Sequence, residues 1–253
     1  MRSAVYAAFF ALVCARAEAA TPLELYQQGK YDAAISAGIA QNDAAGFAVA
    51  ARAELAAEMM RSAPCLACLR RAEDDARKAI AADPNLPEGH IYLAVTLGYE
   101  ARVVGIVTAG ARGYASEAKK ELDIALASDP ANYWALAALG GWNVEIVRNG
   151  GASLANWIYG ASIDDAMTRF HKAFALASGN LVLRYQYALS LAGYDLARYR
   201  SEVEASLARA QMDKPRTAYE SFAQGRAKEL LDALKKNDLD AFDDLVRRDQ
   251  GYP

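Results

Sequence analysis

The sequence predicts an all-α chain of stacked antiparallel helix pairs, and three observations predict it. Alanine supplies 57 of the 253 residues, against 26 for Val, Ile and Thr together. Alanine loses no side-chain entropy in a helix, whereas β-branched residues lose χ1 freedom there. Small or apolar residues also recur at spacings of four and then three, which puts them on one helical face. Each such segment is followed five residues later by a turn signal. With 54% apolar residues, seven prolines and a formal charge of −3, the chain can bury a core and is not of the disordered class. A pI near 5.5 gives no electrostatic reason to bind nucleic acid.

The first segment reads as an address. Arg2 precedes an uncharged run from Ala4 to Ala15, shorter than the roughly 20 residues a bilayer span needs. Ala17, Glu18 and Ala19 follow as a small-x-small cleavage pattern. Residues 1–19 are therefore expected to be a secretory signal peptide, cut after Ala19 or alternatively after Ala17. Cys14 lacks the small residue that normally precedes a lipidated cysteine, so plain secretion is preferred. The expected compartment is a bacterial periplasm, with a repeat domain over 20–253. No later stretch reaches the length of an uncharged apolar span, so the mature chain is expected not to cross a membrane.

The repeat then runs along the chain in order. A helix-pair turn is expected around Gly29, between Tyr26 and Tyr31. The spacing pattern first appears as Ala72, Ala76, Ala79 and Pro84. It returns as Ala118, Leu122, Ala125 and Pro130, and as Ala166, Phe170, Ala173 and Ser178. A fourth copy is Val203, Leu207, Ala210 and Pro215. Ten residues beyond each turn stands a small residue: Ala94, Gly140, Ala188 and Gly225. Small residues let paired helices approach closely, and proline suits the first turn of the next helix.

The segments Ala76 to Pro84 and Leu122 to Pro130 resemble the second helix and closing turn of the tetratricopeptide repeat family. The resemblance covers roughly residues 22–248. It implies an α-solenoid of about five helix pairs, whose first helices line a concave face. The turn residues 84, 130, 178 and 215 lie 46, 48 and 37 residues apart, against a family period of about 34. The excess falls at 94–118 and 140–166, inside two neighbouring pairs. In a solenoid equivalent turns emerge on one edge, so the insertions are expected side by side as a lip. The stretch from Leu139 to Ser162, through Trp142, Glu145 and Tyr159, also resembles the helical-repeat region of the microtubule-dynamics regulator family, although a cytoskeletal role is not expected to follow for a secreted chain. Residues 216–236 and 238–248 close the array as a charged, solvated capping pair.

Cys65 and Cys68 are the mature cysteines. In an oxidising compartment they are expected to pair as a structural disulfide, contributing at most roughly 2 kcal/mol because the loop is short. Thiol exchange at a helix N-terminus, free thiols or a metal remain alternatives. His90 and His171 have no partner at helical ligand spacing and read as ordinary surface or groove positions. Asp164 and Asp165 fit the favourable first turn of a helix. Nucleophile and phosphate-loop motifs are absent. Neither a catalytic residue, a metal site nor a cofactor is expected.

The positive signal is a groove. The inward stripe mapped from the small residues contains Tyr99, Trp134, Glu145, Tyr185, Tyr219, Phe222 and Arg226. Aromatic groups with polar tips are the usual make-up of a recognition surface. The candidate partner-binding residues are Trp134, Trp142, Glu145, Arg148, Tyr185 and Tyr219. A lysine-based clamp for a C-terminal carboxylate is argued against, since 86–104, 131–148 and 180–195 contain no lysine. The expected role is non-catalytic protein or peptide binding in the bacterial envelope. Two alternatives stand beside it: a small-ligand accessory subunit of a transport system, marked by an enclosed cavity, and a Cys65–Cys68 redox protein.

Overall fold

The computed structural model describes residues 19–253 apart from 62. The expected signal peptide, Cys14 included, thus lies outside the described residues except at Ala19. Those residues form α-helices and no strand. The chain opens with α1 (Pro22–Gln27), α2 (Tyr31–Gln41), α3 (Ala44–Met59) and α4 (Leu66–Ala82). It continues with α5 (Pro87–Val104), α6 (Ile106–Ala111), α7 (Tyr114–Ser128), α8 (Tyr133–Gly150) and α9 (Ala152–Tyr159). It closes with α10 (Ile163–Leu176), α11 (Leu181–Ala210), α12 (Ala218–Lys236) and α13 (Leu239–Asp249).

Local chemistry sets the boundaries. Thr21 and Glu24 form a reciprocal capping box at the start of α1. Asp43, Asn132, Ser162, Asn180 and Thr217 each accept a backbone N–H of the following first turn. Pro84 and Pro130 stand in the connecting turns, and it is Pro87 that occupies the first turn of α5. The long helix α11 is two arms. Asp195 has extended backbone (φ −158°, ψ 85°) and its carboxylate caps the Arg198 N–H at 3.0 Å. The second arm therefore starts as a new antiparallel helix.

Whereas none of the four turn residues is buried, the twelve helical residues of the four spacing patterns all are, from Ala72 to Ala210. They seal α4, α7, α10 and the second arm of α11 against an inner layer. That layer is α3, α5, α8, the first arm of α11 and α12, with α3 against α5, α5 against α8, and α8 against α11. The small residues matter unequally. A Cβ on Gly140 would meet the Phe170 ring at 3.0 Å, so this glycine is a packing requirement. Gly225 has open space around its Cβ position, so it is not the close-approach residue that the pattern suggests. Between α10 and α11 the spacer is aromatic: Tyr187 packs edge-on to Phe170 and Phe174, at 5.0 and 5.2 Å.

The insertions obey one plan. Gly105 and Gly151 end α5 and α8 with nearly identical backbone (φ 81°, ψ 158° and φ 74°, ψ 155°). Each is followed by a short helix, α6 or α9, and each insertion closes on a left-handed glycine, Gly113 or Gly160. Positive φ at these four positions is reached at no steric cost only by glycine. Trp142 lies between the two, packing with Ala109 and Tyr114 on one side and with Ala155 and Tyr159 on the other. The lip on one edge is therefore present. It exposes Ile106, Val107, Leu154, Trp157 and Ile158.

The array does not stay open. Ala218 at the start of α12 comes against Gly29, and the Tyr219 hydroxyl lies 2.7 Å from the Met59 sulfur of α3. The two ends of the array thus touch. The last pair is correspondingly more than a solvated cap. Asp240, Asp243 and Asp244 face solvent, but Phe242 and Val246 are buried in the main core. Replacing Phe170 with Ala should cost about 3–5 kcal/mol, since it empties the space under Gly140 and beside Tyr187. The exposed His171→Ala should stay within about 0.5 kcal/mol. Urea unfolding of the two variants checks the contrast.

Candidate functional site

The inner helices present their polar residues to one channel. Tyr99 and Arg102 sit one turn apart on α5, and Glu145 and Arg148 one turn apart on α8. Arg102 reaches the Glu145 carboxylate at 3.4 Å, and Arg148 reaches the same carboxylate at 3.7 Å. From the far wall, Arg226 of α12 approaches Asp249 at 3.7 Å. Tyr185 of α11 is buried at 2% exposure, and burial together with the Asp249 carboxylate pushes its phenol well above the ordinary range.

The channel is filled by the chain itself. After α13, Gly251 takes a left-handed turn (φ 75°), with its N–H donating to the Arg248 carbonyl and the Tyr252 N–H to the Arg247 carbonyl. This reversal is a glycine helix stop. It turns Gln250 and Tyr252 into the channel. The Gln250 carboxamide accepts from Arg148 at 2.9 Å and donates to the Leu189 carbonyl at 3.0 Å. The Gln250 carbonyl accepts from Arg102 at 3.0 Å. The Tyr252 hydroxyl donates to Glu145 at 2.7 Å, and its ring centroid lies 4.9 Å from the Arg148 guanidinium and 5.9 Å from that of Arg102. Gly251 lies against the Tyr99 ring. Gln250 is 4% exposed.

The electrostatics follow from this enclosure. Burial alone would raise the Glu145 carboxyl. The Arg102 guanidinium, the Tyr252 hydroxyl and Arg148 outweigh it and hold the group at about 2. Burial and the neighbouring Glu145 carboxylate raise the Tyr252 phenol. Charge-assisted bonds of this kind are the strong ones, and in a low-dielectric channel an unpartnered member is expensive.

The sequence-predicted residues divide. Glu145, Arg148 and Tyr185 meet at the channel, with Tyr99 and Arg226 of the wider stripe. Tyr219 stacks on Phe222 at 5.8 Å and faces α3. Tyr185 and Tyr219, at 2% and 9% exposure, are not the open docking surface the sequence predicts. The final turn and the end-to-end closure cover them. Trp134 is not in the channel. It packs on Tyr133, on the Ile91, Ala125 and Ala135 cluster of α5, α7 and α8, and on the main core. Trp142 is held between the two insertions, its indole N–H donating to the Ala115 carbonyl at 2.9 Å. Sequence reasoning missed Arg102, Gln250 and Tyr252. Their signals were an arginine one turn after Tyr99, and a glycine closing the amphipathic segment that ends at Asp249.

Other candidate chemistry is placed as follows. Cys65 caps α4 and the structure joins its sulfur to that of Cys68, with Cα atoms 5.2 Å apart. Its N–H donates to Glu58, a carboxyl raised by burial. Glu58, Cys65 and Cys68 are the one group of metal-type donors gathered among the described residues. They fall short of the four ligands, or three plus water, of a zinc site when the sulfurs are bonded to each other. His90 is buried rather than at the surface. Its Nε2 meets the Pro84 carbonyl and its Nδ1 the Glu121 carboxylate, tying α5 to α7. His171 is exposed, and Asp164 and Asp165 stand in the first turn of α10. The cavity left in the channel, between Met59, Tyr99 and Tyr252, holds about 30 Å³, room for a water or two. A larger cleft of about 400 Å³ is an open depression edged by Asn180, Asp213, Lys214 and Arg216. Neither is the enclosed apolar cavity that would mark a small-ligand carrier.

A family model described as "Regulator of microtubule dynamics protein 1-3" matches residues 40–235. The match runs from the end of α2 nearly to the end of α12, and leaves α13 and the final turn outside it. No curated protein matches the chain. Replacing Glu145 with Gln should lower stability at pH 7 by about 3 kcal/mol, the worth at about 1.4 kcal/mol per pKa unit of a carboxyl moved from its ordinary 4.5 to about 2. A depressed carboxyl stabilises above its unfolded value, and that stability is lost as pH falls through the folded one. The difference between wild type and variant should therefore shrink between pH 4.5 and 2, as urea unfolding across that range would read.

Proposed function

The chain belongs to the regulator of microtubule dynamics protein 1-3 family, and from that premise we propose that it acts without catalysis, as a helical scaffold holding a protein or peptide segment in its concave channel. The observation that carries the reading is the final turn. A folded peptide segment already sits in the channel, held by side chains of α5 and α8 and by a backbone carbonyl of α11. The repeat is taken to be of the tetratricopeptide kind, on the buried spacing pattern and the helix pairing. Neither a cofactor nor a metal is assigned to it. The Cys65–Cys68 bridge is taken as structural, clamping the first turn of α4.

The N-terminal address supports export and an envelope partner, with the periplasm as the compartment. The family's name supports a second reading, in which the partner belongs to the microtubule system. One pair of measurements separates them. Residues 20–253, immobilised, are offered envelope extract, and the same protein is pelleted with polymerised tubulin. The first reading expects specific capture from extract and no co-sedimentation, and the second expects the reverse. In either assay a folded Glu145→Gln, Arg148→Ala double variant should lose the partner. A variant that binds the same partners as wild type would remove the channel from the binding reaction.

A further inference from the structure

The channel reads the occupant's chemistry position by position. The Gln250 seat suits a carboxamide, whose oxygen accepts from the Arg148 guanidinium while its amide nitrogen donates to the Leu189 carbonyl. A carboxylate there could not donate, and a lysine could not accept. The next seat excludes a side chain: a Cβ on Gly251 would stand 3.0 Å from the Tyr99 ring, on a backbone with φ of 75°. The third seat takes a phenol. Glu145 accepts its hydroxyl, and the Arg102 and Arg148 guanidinium groups lie near its ring. Arg102 then fixes the backbone by its bond to the Gln250 carbonyl.

We infer that the channel is a sequence-selective site for a peptide segment of the type carboxamide–glycine–tyrosine, and that residues 250–252 are a built-in competitor for the partner's copy of it. The inference rests on the scaffold reading above and deepens it by naming the ligand chemistry. The competitor lies beyond the family-matched span 40–235, whereas every wall residue lies within it. A tethered segment competes at high effective concentration, so an outside peptide sees only the fraction of molecules whose channel is free.

The structure also supplies selective variants. Gly251→Ala strains the final turn and presses a methyl against the Tyr99 ring, so it is expected to loosen the competitor while leaving every wall residue unchanged. Gly193→Ala puts a methyl into the Gln250 carboxamide position, closing the seat from the wall side. The latter replacement raises helix propensity, so the fold is kept. The probe is a fluorescently labelled peptide of residues 245–253, titrated by anisotropy against full-length chains.

Wild type should bind the probe at least about tenfold more weakly than Gly251→Ala, as a channel occupied nine times in ten requires. The double variant Gly251→Ala, Gly193→Ala should lose the binding. A probe with Ala at the glutamine and tyrosine positions should bind none of them. Equal binding to wild type and Gly251→Ala, or binding that survives Gly193→Ala, overturns the inference. So does the absence of binding to a folded Gly251→Ala chain. Should that chain fail to fold, the full-length Gln250→Ala, Tyr252→Ala variant replaces it with the same expectations. Failure of the probe with partner capture retained removes the ligand assignment alone. Loss of both removes the scaffold reading.

Discussion

The constraint on which the rest of the structure depends is the satisfaction of charge on the concave face. Arg102, Glu145 and Arg148 stand on adjacent inner helices with side chains about 19–25% exposed. Charges so enclosed need partners, because their desolvation is offset only by close, well-directed bonds. The carboxylate and the two guanidinium groups answer one another in part. Further donors and acceptors are met by the Gln250 carbonyl, the Gln250 carboxamide and the Tyr252 hydroxyl, while the buried Arg102 Nε finds no partner among the described residues. The final turn is therefore a member of the fold, even though it belongs to no repeat.

Closure of the array makes this possible. Alanine-lined seams allow α4 to pack tightly under α3 and α5, and a glycine lets α8 settle on Phe170. Tight seams curve the stack until α12 meets α1 and α3. Curvature brings α13 across the inner face, and the glycine stop aims two side chains inward. The insertions lie apart from this. They extend the ends of α5 and α8 along one edge, pinned on Trp142, and keep their apolar tips in solvent. The molecule thus carries two distinct features: a closed polar channel and a rim with exposed apolar tips.

The fold was largely legible in the sequence because its signal is local. Four-then-three spacing with Ala72, Phe170 and Leu207 on the buried stripe is a property of single helices, and the structure keeps it intact. The insertions were legible as excess length, and their glycine–helix–glycine plan was present as Gly105, Gly113, Gly151 and Gly160. The site was legible only in half. Glu145, Arg148 and Tyr185 follow from helical phase, but their burial does not. That depends on the contact of Tyr219 with Met59, 160 positions apart along the chain, and of Gln250 with Leu189, 61 apart. No local pattern encodes such a contact. Trp134 was misplaced for a related reason: its neighbours Ile91 and Ala125 come from two other helices, so its packing position cannot be read from the phase of α8 alone.

A self-filled channel is tested most directly by nuclear Overhauser contacts in the wild-type chain in solution. Cross-peaks between the Tyr252 ring and the Arg148 side chain, and between the Gln250 carboxamide and the Gly193 α-protons, are the predicted result. Random-coil shifts for Gln250 and Tyr252, with neither cross-peak present, would contradict it.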